Sequence, residues 1–384
     1  MTVGRDGALR VAIFTDTFAP QMNGVARTLD RLAGAIRERG GEATVVTVDS
    51  PGAAKGDIVR WPAVPFWRYP ELRIAAPFAG DACRLLRAMR PDLVHVATPF
   101  GVGLAGRRAA FLEGVPLVSS FHTDFAQYLS YYNLKPLESV AWPYLRWFHN
   151  AAARTFVPTR FGAEALVARR FERVSVWGRG VDRTQFSPSF RSYALRHAMG
   201  IRDNEILVAS VGRLAPEKGV GVLLRAMARV HSIGGNRVRL ALAGDGPAEN
   251  RFRAEAPPGT VFAGRLTGTR LSEFYASADV FVFASTTDTF GNVLLEAMAS
   301  GLPVIAPDRG PTVEIAGREN ALLVAVEDAT ALAHGIQQLT ASAALRRRLV
   351  IRSLATAAAR DWTTVWDDLL SQYRAVAGAP RPVT

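Results

Sequence analysis

Three loops carry the residue types that could do chemistry on a phosphorylated ligand. The first runs from Asp16 to Val25 (DTFAPQMNGV) and ends in Asn23 and Gly24, just before a helical pattern. A glycine there lets backbone N–H groups approach a phosphate, with the positive end of the helix dipole behind them. An ordinary tight turn has the same composition, so this loop alone leaves both readings open. The second loop, Val211 to Gly219 (VGRLAPEKG), brings Arg213 and Lys218 together. Lysine is scarce in this chain: of 46 basic residues only Lys55, Lys135 and Lys218 are lysine. An arginine fork beside a lysine point charge points to a diphosphate clamp rather than to two surface cations. The third, Ser285 to Pro303 (STTDTFGNVLLEAMASGLP), has Asp288 at a strand exit, Gly291 and Asn292 opening a helix, and Glu296 about one turn further in. Amides at that helix start can meet a phosphate or a sugar hydroxyl, and Glu296 can accept from a ribose diol. A helix cap and a solvated helical face would give the same spacing.

Each loop follows a short apolar run. In the first half, runs at 10–15, 43–48, 91–96, 116–120, 155–157 and 173–176 read as strands. Between the first two, Val25, Leu29, Leu32, Ala33 and Ile36 recur at helical spacing until Gly40 and Gly41. The pattern restarts with runs at 205–211, 238–243, 261–263, 280–284, 303–306 and 321–324. Continuous apolar strands alternating with helices predict parallel sheets covered on both faces. The stretch Gly178 to Arg191 (GRGVDRTQFSPSFR) lacks apolar periodicity and reads as the hinge. The expectation is therefore an α/β chain of two doubly wound domains, 1–185 and 186–360, with a last helix at 361–384 packing back on the first. Ligands bind outside the carboxyl ends of such strands, so the loops should open onto a cleft between the two sheets.

Composition narrows the class. The chain has 384 residues, 49% hydrophobic and 21% charged, which suits a globular protein and excludes wholesale disorder. No apolar run reaches the roughly 18 residues of a spanning helix. The opening MTVGRDGALR lacks the apolar core of a signal peptide. A single cysteine, Cys83, excludes an internal disulfide framework and a cysteine metal cluster, and suits the cytoplasm. The formal charge is +12, with 24 cations against 16 anions in residues 1–185 and 22 against 18 beyond. Such a balance suits phosphates or an anionic lipid surface, and equally a solvated arginine-rich surface.

The third loop resembles the E-x7-E signature of the family-four retaining glycosyltransferases of the GT-B fold, including the Ala-Met-Ala-Ser-Gly-Leu-Pro-Val that follows it. The resemblance extends over nearly the whole chain: the Asn-Gly-Val loop, Phe121-His122-Thr123-Asp124, Gly180-Val181-Asp182, the Arg213/Lys218 loop, Ala243-Gly244-Asp245-Gly246-Pro247 and Gly310-Pro311-Thr312-Val313-Glu314. The chain looks most like the GDP-mannose-dependent α-mannosyltransferases of glycolipids, with sulfoquinovosyl-diacylglycerol synthases as near relatives. The resemblance implies two Rossmann-like domains facing across a cleft. It implies that Arg213 and Lys218 hold the donor diphosphate and stabilise the leaving nucleotide. Glu296 would bind the ribose, Asn23 and Gly24 the distal phosphate, and the backbone of Phe290, Gly291 and Asn292 the donor sugar. Arg265 and Leu266 would line the base pocket, and His122 would meet the sugar near its reacting carbon. Asp288 stands where the family usually has glutamate, one methylene shorter.

The reaction so implied is metal-independent, since no Asp-x-Asp and no metal-spaced cluster is present, and no cofactor is expected beyond the nucleotide-sugar substrate. Asp16, Asp124 and Tyr128 are assigned to the acceptor side, where the aromatic-rich segments Phe125 to Phe148 and Trp61 to Arg73 are further candidates. Aromatics interleaved with arginine suit a lipid or glycolipid acceptor at an anionic membrane surface, or equally helix packing. The expectation is a cytoplasmic enzyme, peripheral at the inner membrane face. Rival readings are a UDP-sugar-dependent glucosyl or sulfoquinovosyl diacylglycerol transferase, a sugar-nucleotide epimerase, and a non-catalytic nucleotide-binding adaptor. No nucleic-acid partner is expected, because only Arg346 to Arg348 forms a dense basic run.

Overall fold

The computed structural model describes residues 8–21, 24–49, 57–66, 69–76, 78–122, 136 and 138–379. Asn23, Asp124 and Tyr128 lie outside them. The chain forms two compact units, one drawn from 1–126, 136–178 and 363–384, the other from Arg179–Trp362.

In the first unit, β1 (Arg10–Phe14) leads to α1 (Gly24–Glu38), β2 (Glu42–Val48) and β3 (Ile58–Trp61). A hairpin of β4 (Ala63–Phe66) and β5 (Tyr69–Ala75) interrupts the alternation before α2 (Ala79–Met89), β6 (Leu93–Val96) and α3 (Gly101–Leu112). Then come β7 (Leu117–Ser120), α4 (Glu138–Asn150), β8 (Arg154–Val157), α5 (Arg160–Ala168) and β9 (Val174–Val176). The sheet order is β3-β2-β1-β6-β7-β8-β9, parallel throughout. Strands β3, β4 and β5 have no counterpart in the sequence reading. Trp61, read there with the acceptor aromatics, ends β3 and meets Phe14 edge-on at 6.3 Å.

The C-terminal helix (Trp362–Ala377) joins this unit from Thr363 onward. Its Leu369, Leu370 and Tyr373 are buried, Trp366 meets Trp177 at 6.1 Å, and Arg154 Nη1 donates to Gln372 Oε1 at 2.7 Å. Amphipathic spacing of those apolar residues lets one face leave water while Asp367 and Asp368 stay on the other.

The second unit repeats the scheme. Its strands are β10 (Ile206–Val211), β11 (Val238–Ala243), β12 (Val261–Gly264), β13 (Val280–Val282), β14 (Val304–Pro307) and β15 (Ala321–Val324), in the parallel order β12-β11-β10-β13-β14-β15. Helices α6 (Val220–Ser232), α7 (Gly268–Ser277), α8 (Asn292–Ala299), α9 (Ala329–Ala341) and α10 (Ala343–Ala358) cover it. Alternate strand residues enter two cores. Leu207, Ala209 and Phe281 join one face, while Val208, Val280 and Val282 join the other. That is the two-sided burial the continuous apolar runs predict. In each sheet the winding reverses beside the first strand, at β1/β6 and at β10/β13, which is where a ligand crevice opens.

Candidate active site

In the second unit, the loops leaving β10 and β13 flank the reversal point. The chain after β10 makes a short 3-10 turn, Pro216–Lys218, and closes on Gly219 at φ 69°. A Cβ on Gly219 would lie 2.2 Å from the carbonyl oxygen of Ala284, at the exit of β13. Only glycine permits that approach, and it brings Lys218 Nζ to 2.8 Å from Asp288 Oδ1. Thr287 Oγ1 also donates to the Glu217 carbonyl, at 3.4 Å. Lys218 and Asp288 are mostly buried, with side chains 18% and 28% exposed. Burial pushes the Asp288 carboxyl up, but the Lys218 ammonium outweighs it and the net position is below the usual carboxylate range.

Arg213 is half-buried on the same loop. Burial lowers its guanidinium from the ordinary value, against the opposing charges of Glu217 and Asp245. An arginine remains cationic throughout, so its poorly solvated charge is disposed toward an incoming anion. The loop is fixed from below, where Leu214 N–H donates to the Asp245 carbonyl at 2.8 Å.

Gly291, φ 88°, caps the start of helix α8, and an added Cβ there would be strained and would press on Phe283. Phe290 is buried in the core, and the Asn292 side-chain oxygen is buried with no hydrogen-bond donor among the described residues. Glu296 is buried one turn in, and Tyr275 Oη donates to its Oε2 at 2.9 Å, fixing the carboxylate. The sequence reading missed Tyr275; a tyrosine in an apolar helix gives no sign of which carboxylate it will meet. Arg265 is exposed beyond β12, 3.9 Å from Asp245, and Leu266 packs on the core beside it. The structure thus brings Arg213, Lys218, Asp288 and Glu296 onto loops and a helix start at one end of one sheet.

In the first unit, Gly24 opens α1 after β1. Asp16 is fully buried and bound by the other side of the switch point: Thr98 Oγ1 donates to its Oδ2 at 2.5 Å and Val102 N–H to its Oδ1 at 2.9 Å. Burial raises its carboxyl above the ordinary value, with those hydrogen bonds opposing. It ties the exit of β1 to the start of α3, a structural task that the acceptor reading did not foresee.

His122 follows β7, half-buried, its ring 5.5 Å from Trp177. Its Nε2 is 2.7 Å from Ser120 Oγ, which is 2.8 Å from His95 Nε2; His95 Nδ1 is 2.8 Å from Tyr373 Oη. Sequence reasoning did not find this chain, since His95 reads as one polar residue in an apolar strand. His149, deeply buried, is a different case: burial pushes it down to about 3, and its Nδ1 lies 2.9 Å from Ser119 Oγ. Of the described aromatics in 138–150, Trp142 stacks on Phe121, Phe148 is core, and Tyr144 donates to the Pro99 carbonyl. Trp147 alone among them is largely exposed, with the Arg107 guanidinium 3.8 Å over its ring.

Among the described residues no group of three His, Cys, Asp or Glu side chains could hold a metal ion, and no helix is long and apolar enough to cross a membrane.

Glycosyltransferase Family 4 matches residues 22–185, and Glycosyl transferases group 1 matches residues 205–342. A GDP-mannose-dependent alpha-mannosyltransferase of Mycobacterium tuberculosis is 38% identical over 96% of this chain and 97% of its own length. Sulfoquinovosyl transferase SQD2 of Arabidopsis thaliana is 32% identical over 80% of this chain and 61% of its own. Among solved structures, sucrose-phosphate synthase from Thermosynechococcus elongatus superposes with a TM-score of 0.81 at 20% identity, covering 97% of this chain and all of that one, which bears on the fold.

Proposed function

The chain belongs to glycosyltransferase family 4 and is a hexosyltransferase of the GT-B fold; from that premise we propose that it moves mannose from GDP-mannose to a glycolipid acceptor, with retention of configuration and without a metal. The GDP-mannose-dependent relative that matches almost end to end supports the donor. The observation that carries the mechanism is the cationic pair on the β10 loop, Arg213 and Lys218, with Lys218 fixed against Asp288.

Breaking the bond from sugar to diphosphate builds negative charge on the leaving oxygens and positive charge on the anomeric carbon. Fixed cations, partly withdrawn from water, stabilise the first without reorganising as it forms. Lys218 and Arg213 take that role, and amides at the start of α8 add hydrogen bonds to the donor. Asp288 holds Lys218 until the diphosphate arrives and then accepts from a sugar hydroxyl. Glu296 accepts from the ribose, Arg265 and Leu266 line the base, Asn23 and Gly24 approach the distal phosphate, and His122 hydrogen-bonds the transferred sugar. Asp124 and Tyr128 are assigned to the acceptor.

For the acceptor, a peripheral membrane position on the cytoplasmic side is proposed. Phe78, Phe111 and Trp147 are exposed on the first unit, and the Arg107 guanidinium lies over the Trp147 ring, which suits an anionic lipid surface. Co-sedimentation with anionic vesicles, lost in neutral ones or at high salt, tests this; equal binding to both would contradict it.

The activity is tested by offering GDP-mannose, UDP-glucose and UDP-sulfoquinovose with membrane glycolipids in EDTA, and isolating the product. Lipid-stimulated GDP release with a new α-mannosidic bond supports the reading. Release only from a UDP donor would move the function to the diacylglycerol transferases, a reading favoured by the similarity to sulfoquinovosyl transferase. An altered free sugar would indicate an epimerase, and GDP binding without release an adaptor.

A further inference from the structure

His122 is the end of a hydrogen-bonded series that begins on the C-terminal helix, 278 residues from His95 in the chain. Tyr373 and His95 are fully buried and Ser120 nearly so. Trp177 lies edge-on to the rings of both His95 and His122, at 6.0 and 5.5 Å, and Phe156 lies 5.7 Å from Tyr373. We propose that Tyr373, acting through His95 and Ser120, is a positioning residue that holds His122 in its neutral Nδ1–H tautomer. The role rests on the assignment of His122 to the donor sugar.

The polarity follows from what each group can give. A phenol is the most acidic donor in the series, and a neutral imidazole nitrogen its strongest uncharged acceptor, so Tyr373 Oη donates to His95 Nδ1. With its Nδ1 taken up as acceptor for Tyr373, a neutral His95 carries its one proton on Nε2, 2.8 Å from Ser120 Oγ, and donates it there. The serine hydroxyl has a single proton, and with His95 as donor on one side it gives that proton to His122 Nε2. The His122 proton is therefore on Nδ1. Each bond polarises the next, which adds to the preference. His122 then works as a neutral hydrogen-bond donor through Nδ1, and not as a base through Nε2.

The test reads the ring directly. The chain has six histidines, so 15N-edited spectra of the ring nitrogens, with the His122 signals assigned from a His122→Gln sample, resolve its tautomer without any donor present. The wild type should show protonated Nδ1 and unprotonated Nε2 on His122. Tyr373→Phe, which keeps the ring and its packing, and Ser120→Ala, which cuts the last link, should each give mixed tautomers. Each should also lower kcat for GDP release from GDP-mannose by about tenfold, the scale of one hydrogen bond, with KM unchanged. The double variant should be no worse than either single one, because both cut the same series. A protonated Nε2 in the wild type, or an unchanged His122 spectrum in both variants, would overturn the relay. Wild-type turnover by His122→Gln would instead remove the catalytic assignment on which the relay's purpose depends, leaving the ring spectra to judge the relay itself.

Discussion

Lys218 Nζ and Asp288 Oδ1 meet at 2.8 Å although 70 residues separate them. The pair joins the loops after β10 and β13 across the point where the sheet reverses. Its geometry makes Asp288 more than a shortened version of a sugar-binding glutamate: it fixes the cation on which the proposed leaving-group chemistry depends. With neither side chain fully withdrawn from water, the pair is a positioning device more than a source of stability.

The sign of its pH dependence follows from the depressed Asp288 carboxyl. A folded-state value below the unfolded one contributes stability that is complete above about pH 4, the ordinary aspartate range, and lost as pH falls through the folded value. Asp288→Asn should therefore melt below the wild type at neutral pH, and the gap should close in acid. Thermal unfolding of both proteins between pH 7 and pH 3 checks this; a gap that widens in acid would contradict it.

Asp16 has the opposite sign. Its raised carboxyl favours the protonated form in the fold, so this contribution is fullest below the ordinary aspartate range and declines as pH rises through the folded value. Asp16→Ala leaves the Val102 N–H and the Thr98 hydroxyl buried without their acceptor and should cost about 1–3 kcal/mol in denaturant unfolding. Asp16→Asn, which still accepts from Val102, should cost less. A loss of acceptor affinity in Asp16→Asn with stability unchanged would support a role for Asp16 on the acceptor side.

Gly219→Ala should act on Lys218 without touching its charge. The new methyl meets the Ala284 carbonyl in a backbone conformation that alanine disfavours, so the two loops must separate. Nucleotide release should fall with the thermal midpoint, and by more than the midpoint alone accounts for. Full activity in this variant would show that the close approach is unnecessary.

The sequence made the two doubly wound sheets legible because buried parallel strands leave unbroken apolar runs, and the switch-point loops follow from them. Strand β3 and the β4–β5 hairpin were hidden, since 58–75 carries prolines, aromatics and arginines without clean alternation. Individual cations were legible through Lys218, conspicuous where lysine is rare. Partnerships were not: Asp16 with Thr98, Glu296 with Tyr275 and His95 with Tyr373 join residues 82, 21 and 278 apart, and only the folded sheet brings them together. Among the aromatics of 138–150, which side chains pack inside and which stay exposed depends on the helix face each one occupies.

The most direct test of the central claim compares GDP release from GDP-mannose by the wild type, Arg213→Ala and Lys218→Ala, with glycolipid acceptor and EDTA throughout. The account predicts activity in the wild type and losses of about 10²–10³-fold in each variant, the scale of removing one transition-state donor. Near-wild-type turnover in either variant, or wild-type activity that vanishes in chelator and returns with Mg²⁺ or Mn²⁺, would contradict it.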